Sequence, residues 1–165
     1  MIRRRICTHL SGAIVLNLRR YQTADLEGVL ALCTSEGWPS FPEDPARADR
    51  VLQAPGVTTV VAIEDDSVVG FAQLLSDGEI QAYLALIAVH PSRRQKGIGR
   101  DLIAAALSTA GGLRVDLLAD TAPNFYASLP HLRFDGFRLY PNHSGPDRYR
   151  EDGFWKDGRW VEGAN

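Results

Sequence analysis

The segment Val89-His90-Pro91-Ser92-Arg93-Arg94-Gln95-Lys96-Gly97-Ile98-Gly99-Arg100 combines residue types and spacing that suit one task, holding an anion. An apolar run, Tyr83 to Val89, leads into it, and an alanine- and leucine-rich run, Asp101 to Ala110, leads out. A strand, a basic glycine loop and a helix in that order aim several backbone N–H groups at one point and add the positive end of the helix dipole. Gly97 and Gly99 carry no side chain, so a ligand can approach the main chain closely. Arg93, Arg94, Lys96 and Arg100 crowd positive charge around the same loop. A phosphate or pyrophosphate is the guest such a junction accepts. A plain tight turn would use the same glycines, but it would not need the four cations. A dinucleotide fingerprint needs a third glycine, and the residue three after Gly99 is Leu102. A Gly-x-x-x-x-Gly-Lys phosphate loop is absent from the sequence.

The elements that must position this loop are legible on either side. Ala13 to Leu18 reads as a first strand. Thr23 or Asp25 caps a helix to about Ser35, with Leu26, Val29, Leu30 and Cys33 on one face. Gly37 to Pro42 is a loop with two prolines and two exposed-looking aromatics, Trp38 and Phe41. A short helix opens at Asp44 or Pro45 and ends near Ala54. Thr58 to Ile63, Ser67 to Leu75 and Glu79 to Val89 form a meander, joined by turns at Asp65-Asp66 and at Asp77-Gly78. After the glycine loop, Asp101 to Thr109 is a helix stopped by Gly111-Gly112. Leu113 to Ala119 is a buried-looking strand, a short helix starts near Ala122 or Pro123, and Phe137 to Tyr140 is another strand.

An antiparallel meander followed by one β-α-β crossover predicts a mixed α/β (α+β) single domain, with a central mixed sheet and helices on both faces. The expected division is an N-terminal extension over 1–13, a domain over 14–140 and a C-terminal extension over 141–165. Trp155 and Trp160 mark part of that last segment as packed on the domain.

The chain has 165 residues, 45% hydrophobic and 23% charged, an ordinary mixture for one folded domain with its own core. A net charge of −2 provides no general attraction to nucleic acid or acidic membrane. Arg3 to Arg5 read as a frayed, solvated terminus. Two cysteines, Cys7 and Cys33, make no disulfide framework, and a cytoplasmic setting is the simpler expectation. No apolar run approaches the ~20 residues of a membrane span, and the interrupted patch before Asn17 makes a poor signal peptide. The four histidines have no metal-ligand spacing among themselves or with the cysteines, so no metal is expected.

Arg94-Gln95-Lys96-Gly97-Ile98-Gly99 matches the Arg/Gln-x-x-Gly-x-Gly/Ala pattern of the GNAT superfamily of acyl-CoA-dependent N-acetyltransferases. With the strand ending in Val89-His90-Pro91 and with Phe125-Tyr126 downstream, the stretch from Leu18 to Tyr140 resembles that family. The resemblance implies acetyl transfer from acetyl-CoA to a primary amine of a small molecule or peptide, by direct attack on the thioester. It implies that loop amides of Arg94, Gln95, Lys96, Gly97, Ile98, Gly99 and Arg100 hold the pyrophosphate. The pantetheine arm would pair with main chain of Ile87, Ala88 and Val89, as an added strand does. That pairing requires this strand to splay from its parallel neighbour. Tyr126 falls where the family places the residue that protonates the leaving sulfur. Members often carry a glutamate on the long strand. Here Tyr83 to Leu86 contain none, and Glu79 is either a base acting through a water or a solvated residue after the Asp77-Gly78 turn, in which case transfer relies on an amine that is already partly neutral. Asn124 offers an amide for the arm. Trp38, Phe41, Glu43 and Asp44 are candidates for the acceptor wall, and Pro130-His131 lengthen a link that is usually shorter. The missing strand carboxylate leaves an alternative, an acyl-CoA-binding sensor or structural module without turnover. Family members often form homodimers, and neither nucleic acid nor membrane is an expected partner.

Overall fold

The computed structural model describes residues 4–7, 14–119, 122–136, 154–156 and 159–161. Its elements run β1 (Arg4–Cys7), β2 (Ile14–Arg20), α1 (Leu26–Ser35), α2 (Pro45–Leu52), β3 (Val57–Glu64), β4 (Ser67–Ser76), β5 (Gln81–Val89), α3 (Ile98–Ala110), β6 (Arg114–Asp116), α4 (Pro123–Ala127), β7 (Phe154–Lys156) and β8 (Arg159–Val161). The chain divides into two compact units, 1–117 and 118–165.

The first unit is a six-stranded sheet in the order β1-β2-β3-β4-β5-β6. Pairings from β1 to β5 are antiparallel, and β5 with β6 is parallel. The mixed α/β architecture, with meander then crossover, is therefore the one the element pattern predicts. Arg4 to Cys7 are an exception to the expected frayed terminus, because they pair along β2. A ladder at a sheet edge uses only main-chain groups, so arginines do not prevent it. Phe137 to Tyr140 lie outside the described residues.

The central strands β3 and β4 are buried along nearly their whole length, which is why they read as apolar runs. One face carries α1 and α2. There Val29, Leu32 and Cys33 of α1 and Leu52 of α2 pack with Tyr21, Val61, Phe71 and Ala88. Burial pushes the Cys33 thiol up to about 11, with the Glu36 charge adding to it, so this sulfur stays protonated and inert at neutral pH. Polar clamps fix the edges of this layer. Arg19 holds Asp25 through two bonds of 2.6 Å, and Tyr21 donates to Asp49 Oδ1 at 2.7 Å. The aromatics Trp38 and Phe41, exposed-looking in sequence, are half-buried against this cluster. Their loop folds back because two large rings gain more from apolar contact than from water.

The opposite face carries α3, with Ile98, Leu102 and Ala106 buried. The helix lies close because β4 has Gly70 beneath it. A Cβ there would meet the Ala88 carbonyl oxygen at 3.0 Å and Leu102 Cδ1 at 3.1 Å.

The turn between β4 and β5 differs from the two-residue hairpin that Asp77-Gly78 suggested. Asp77 Oδ1 accepts N–H bonds from Glu79, Ile80 and Gln81 at 2.9, 2.8 and 3.1 Å. These bonds hold the carboxyl below its usual range. They also take Glu79 out of the strand, so β5 begins at Gln81. Strand β6 is three residues rather than seven and is exposed or half-buried, with Leu113 outside it and 86% exposed.

The second unit contains α4 and the β7–β8 hairpin, in which Trp155 pairs with Trp160 in register.

Gly70→Val should overpack the α3 contact and destabilise the protein by about 1–3 kcal/mol. Urea unfolding of the two proteins, compared at equal m-value, checks this.

Candidate active site

The site is built on β5 and the turn that follows it. Strand β5 matches β4 from Val89↔Gly70 to Leu86↔Gln73, and then the register slips, so that Leu74 faces Leu84. Ala85 is the extra residue of a β-bulge, which bends the strand and raises its twist. On the far side, β6 pairs with β5 only at Gln81, Ala82 and Tyr83. Strand β6 ends at Asp116, so from the bulge onward β5 has no parallel partner among the described residues.

The phase of the ladder decides which main-chain groups face this gap. The His90 N–H donates to the Val69 carbonyl at 2.9 Å. Antiparallel pairs alternate between bonded and unbonded, so Ala88 and Leu86 spend their N–H and C=O on β4. Ile87 and Val89 turn theirs outward. This agrees with the Arg94 Nε–H, which donates to the Val89 carbonyl at 3.0 Å from outside the sheet. Ile87 and Val89 therefore present the edge that an added strand needs. Ala88 does not: its main chain belongs to the ladder and its side chain to the core, at 4% exposure.

The chain then makes a single 3₁₀ turn, Pro91–Arg93, with His90 Nδ1 accepting from the Ser92 N–H at 3.3 Å. Two residues of the loop have positive φ, Gln95 at 63° and Gly97 at 85°. Left-handed residues set among right-handed or extended ones turn successive N–H groups toward a common concavity that attracts anions. Gly97 is the N-cap of α3 and makes no side-chain capping bond. The first-turn amides of α3, at Ile98, Gly99 and Arg100, have no acceptor one turn back within the helix. The thirteen-residue helix adds its dipole to them.

Two loop cations have work inside the fold. Arg93 Nε–H bonds to Glu64, a buried carboxylate at the end of β3. Arg94 pairs with Glu36, just past α1, as well as with the Val89 carbonyl. Lys96 is exposed and makes no ion pair among the described residues. The two glutamates were not among the residues singled out in sequence. They lie 29 and 58 positions from their arginines, with no local pattern to reveal them.

The other expected residues are placed as follows. Glu79 is exposed in the turn before β5, at the end remote from the glycine loop. Glu43 and Asp44 are exposed, and Asp44 caps α2 by accepting from the Arg47 N–H at 3.0 Å. In the second unit, Asn124 is exposed in the first turn of α4. Tyr126 is half-buried, with its ring edge-on to Phe125 at 5.1 Å between centroids. Burial raises the Tyr126 phenol above its ordinary value. His131 is exposed, with Nδ1 2.8 Å from the Leu129 carbonyl oxygen. Among the described residues, no group of three or more His, Cys, Asp or Glu is placed to hold a metal.

Comparison with known proteins agrees with this arrangement. Residues 55–129 match the acetyltransferase (GNAT) domain model. An aminoglycoside N(6')-acetyltransferase type 1 from Salmonella typhimurium is 34% identical over 98 residues, covering 52% of this chain and 67% of that one. The aminoglycoside N-acetyltransferase AAC(6')-Iy in complex with CoA superposes with a TM-score of 0.63 at 25% identity, over 81% of this chain and 99% of the other. The same enzyme with the bisubstrate analog CoA-S-monomethyl-acetylneamine gives 0.60 at 26% identity, over 77% and 97%. The short β6, the outward amides of Ile87 and Val89 and the glycine loop at the mouth of α3 thus belong with a matching sequence and fold: this chain is a member of the GNAT acetyltransferase family.

Proposed function

We propose that this acetyltransferase moves an acetyl group from acetyl-CoA to a primary amine of a small molecule, by direct attack of the amine on the thioester. The observation that carries the reading is the edge of β5 that has no parallel partner among the described residues, which turns Ile87 and Val89 outward and runs into the glycine loop. A coenzyme with a pyrophosphate at one end and an amide-bearing arm behind it fits that sequence of groups. Loop amides from Gln95 to Arg100 hold the pyrophosphate, with Lys96 adding charge. Main chain of Ile87 and Val89 pairs with the arm.

Acetyl-CoA supplies an acyl group activated as a thioester. In the transfer, the amine nitrogen bonds to the carbonyl carbon, the carbon–sulfur bond breaks, the nitrogen loses a proton and the sulfur gains one. An outward N–H of Ile87 or Val89 stabilises the carbonyl oxygen as it takes on charge. Tyr126 donates the proton to sulfur. Its raised phenol pKa keeps that proton in place at neutral pH. The amine attacks in its neutral form. Glu79 stands eight residues before Ile87, on the order of 20 Å or more along extended chain, too far to act on the amine directly, and the amine proton leaves to water.

Three outcomes are expected. Wild-type protein takes up CoA in calorimetry and releases free thiol from acetyl-CoA when neamine is supplied, and Gly97→Val weakens CoA uptake at least tenfold. Valine strains a backbone at φ 85° and fills the space the ligand approaches. CoA uptake with no thiol release from any amine would instead show a binding module. Tyr126→Phe lowers kcat by about 10²-fold, the lower end of the general-acid range, with CoA affinity kept within twofold. Glu79→Gln leaves the pH profile of kcat/KM in place, and a displaced acid limb would restore Glu79 as the base.

A further inference from the structure

Gln73 lies in the middle of the sheet, on β4, with 4% of its surface exposed. Its Nε2 is buried and has no hydrogen-bond partner, and it is the one such side-chain atom among the described residues. Buried amide donors are nearly always paired, because an unpaired one forfeits its bonds to water and gains nothing in return. Its position bears on what this donor is for. Gln73 faces Thr59 of β3 on one side and Leu86 of β5 on the other. Cross-strand neighbours share a face of the sheet. Thr59 Oγ1 donates to the Leu52 carbonyl of α2 at 2.8 Å, which places all three side chains on the α1–α2 face. Leu86 packs on the same cluster as Trp38 and Phe41. Gln73 also stands at the register slip itself, one strand in from the edge where Ile87 faces outward. A neutral amide donor is thus held in apolar surroundings on the α1–α2 face of the sheet, one strand in from the outward main chain of Ile87.

Resting on the acetyl-transfer reading above, we propose that Gln73 is a specificity-determining residue of the acceptor pocket. Its Nε2–H donates to an oxygen carried near the attacked amine. The acceptor is then an oxygen-bearing amine of the amino-sugar or amino-alcohol kind, and a plain alkyl amine leaves the donor unsatisfied. A site built around such a donor discriminates against analogues that lack the matching acceptor.

The test compares neamine with hexane-1,6-diamine as acceptors for wild-type protein and for Gln73→Leu, with Gln73→Met as a second variant of similar volume. Wild type should prefer neamine in kcat/KM. Each variant should lose about tenfold of kcat/KM on neamine, the upper range for one neutral hydrogen bond, mostly through KM, and stay within twofold on the diamine. Melting temperatures should be unchanged or higher, since an orphan donor has been replaced by an apolar group. CoA uptake, measured separately, should be equal in all three proteins. Variants that keep the wild-type ratio of the two acceptors overturn the inference, as does a wild type that takes up CoA but prefers the diamine or turns over neither amine. Failure of the wild type to take up CoA overturns the acetyl-transfer reading, and the inference falls with it.

Discussion

A main-chain amide must bond to something, and the site depends on where β5 is allowed to leave its amides unbonded. Strand β6 pairs with it for only three residues. Beyond that, the chain keeps its bonds to β4 but opens its other edge. The bulge at Ala85 sits between the paired and the unpaired halves and supplies the bend that a change of neighbours requires. With β6 continued to the end of β5, Ile87 and Val89 would be ordinary members of a buried sheet. With β5 at a fully open edge from its start, nothing would hold the strand at Tyr83. The pairing that is lost is as much a part of the site as the residues around it.

The loop that follows depends on a division of labour among its cations. Arg93 and Arg94 fasten it to Glu64 at the end of β3 and to Glu36 just past α1. Gln95, a non-glycine residue at positive φ, stores strain in the loop, and surrounding contacts must hold it. The arginines do so on one side. On the other, α3 is seated on Gly70, so its N-terminus cannot drift from the sheet. In the proposed reading, attraction for an anion comes chiefly from main chain and helix dipole, with the exposed Lys96 adding charge.

Much of this was legible in the residues, and the reasons are local. Apolar, β-branched runs broken by Asp-Asp and Asp-Gly mark the meander, and glycines beside basic residues mark the loop. The choice of Ile87 and Val89 came from the family resemblance, and their outward main chain is a matter of ladder phase. The turn of Ala88 toward β4 is not legible in sequence, because the phase of a ladder is set by the register of the opposite strand. Glu79 was read into β5 because apolar periodicity carries no sign that Asp77 gathers three amides and delays the strand. The bulge at Ala85, the partners of Arg93 and Arg94 and the burial of Gln73 depend on tertiary contacts, and no short window of sequence contains them. The role proposed for Tyr126 rests on its position in the family pattern, whereas Asn124 stands off the asparagine position of that pattern, which here is Ala119.

The link from Arg94 to both Glu36 and the Val89 carbonyl gives the groove an uncommon relation to salt. Added electrolyte weakens an exposed ion pair, since the screening length at physiological strength is ~8 Å. It also weakens the pull of loop and helix on a polyanion. The first effect frees the guanidinium and uncovers the edge of β5, while the second loosens the grip on the phosphates. The two act in opposite directions on occupancy, so binding should respond less steeply to ionic strength than a tally of nearby positive charges would suggest.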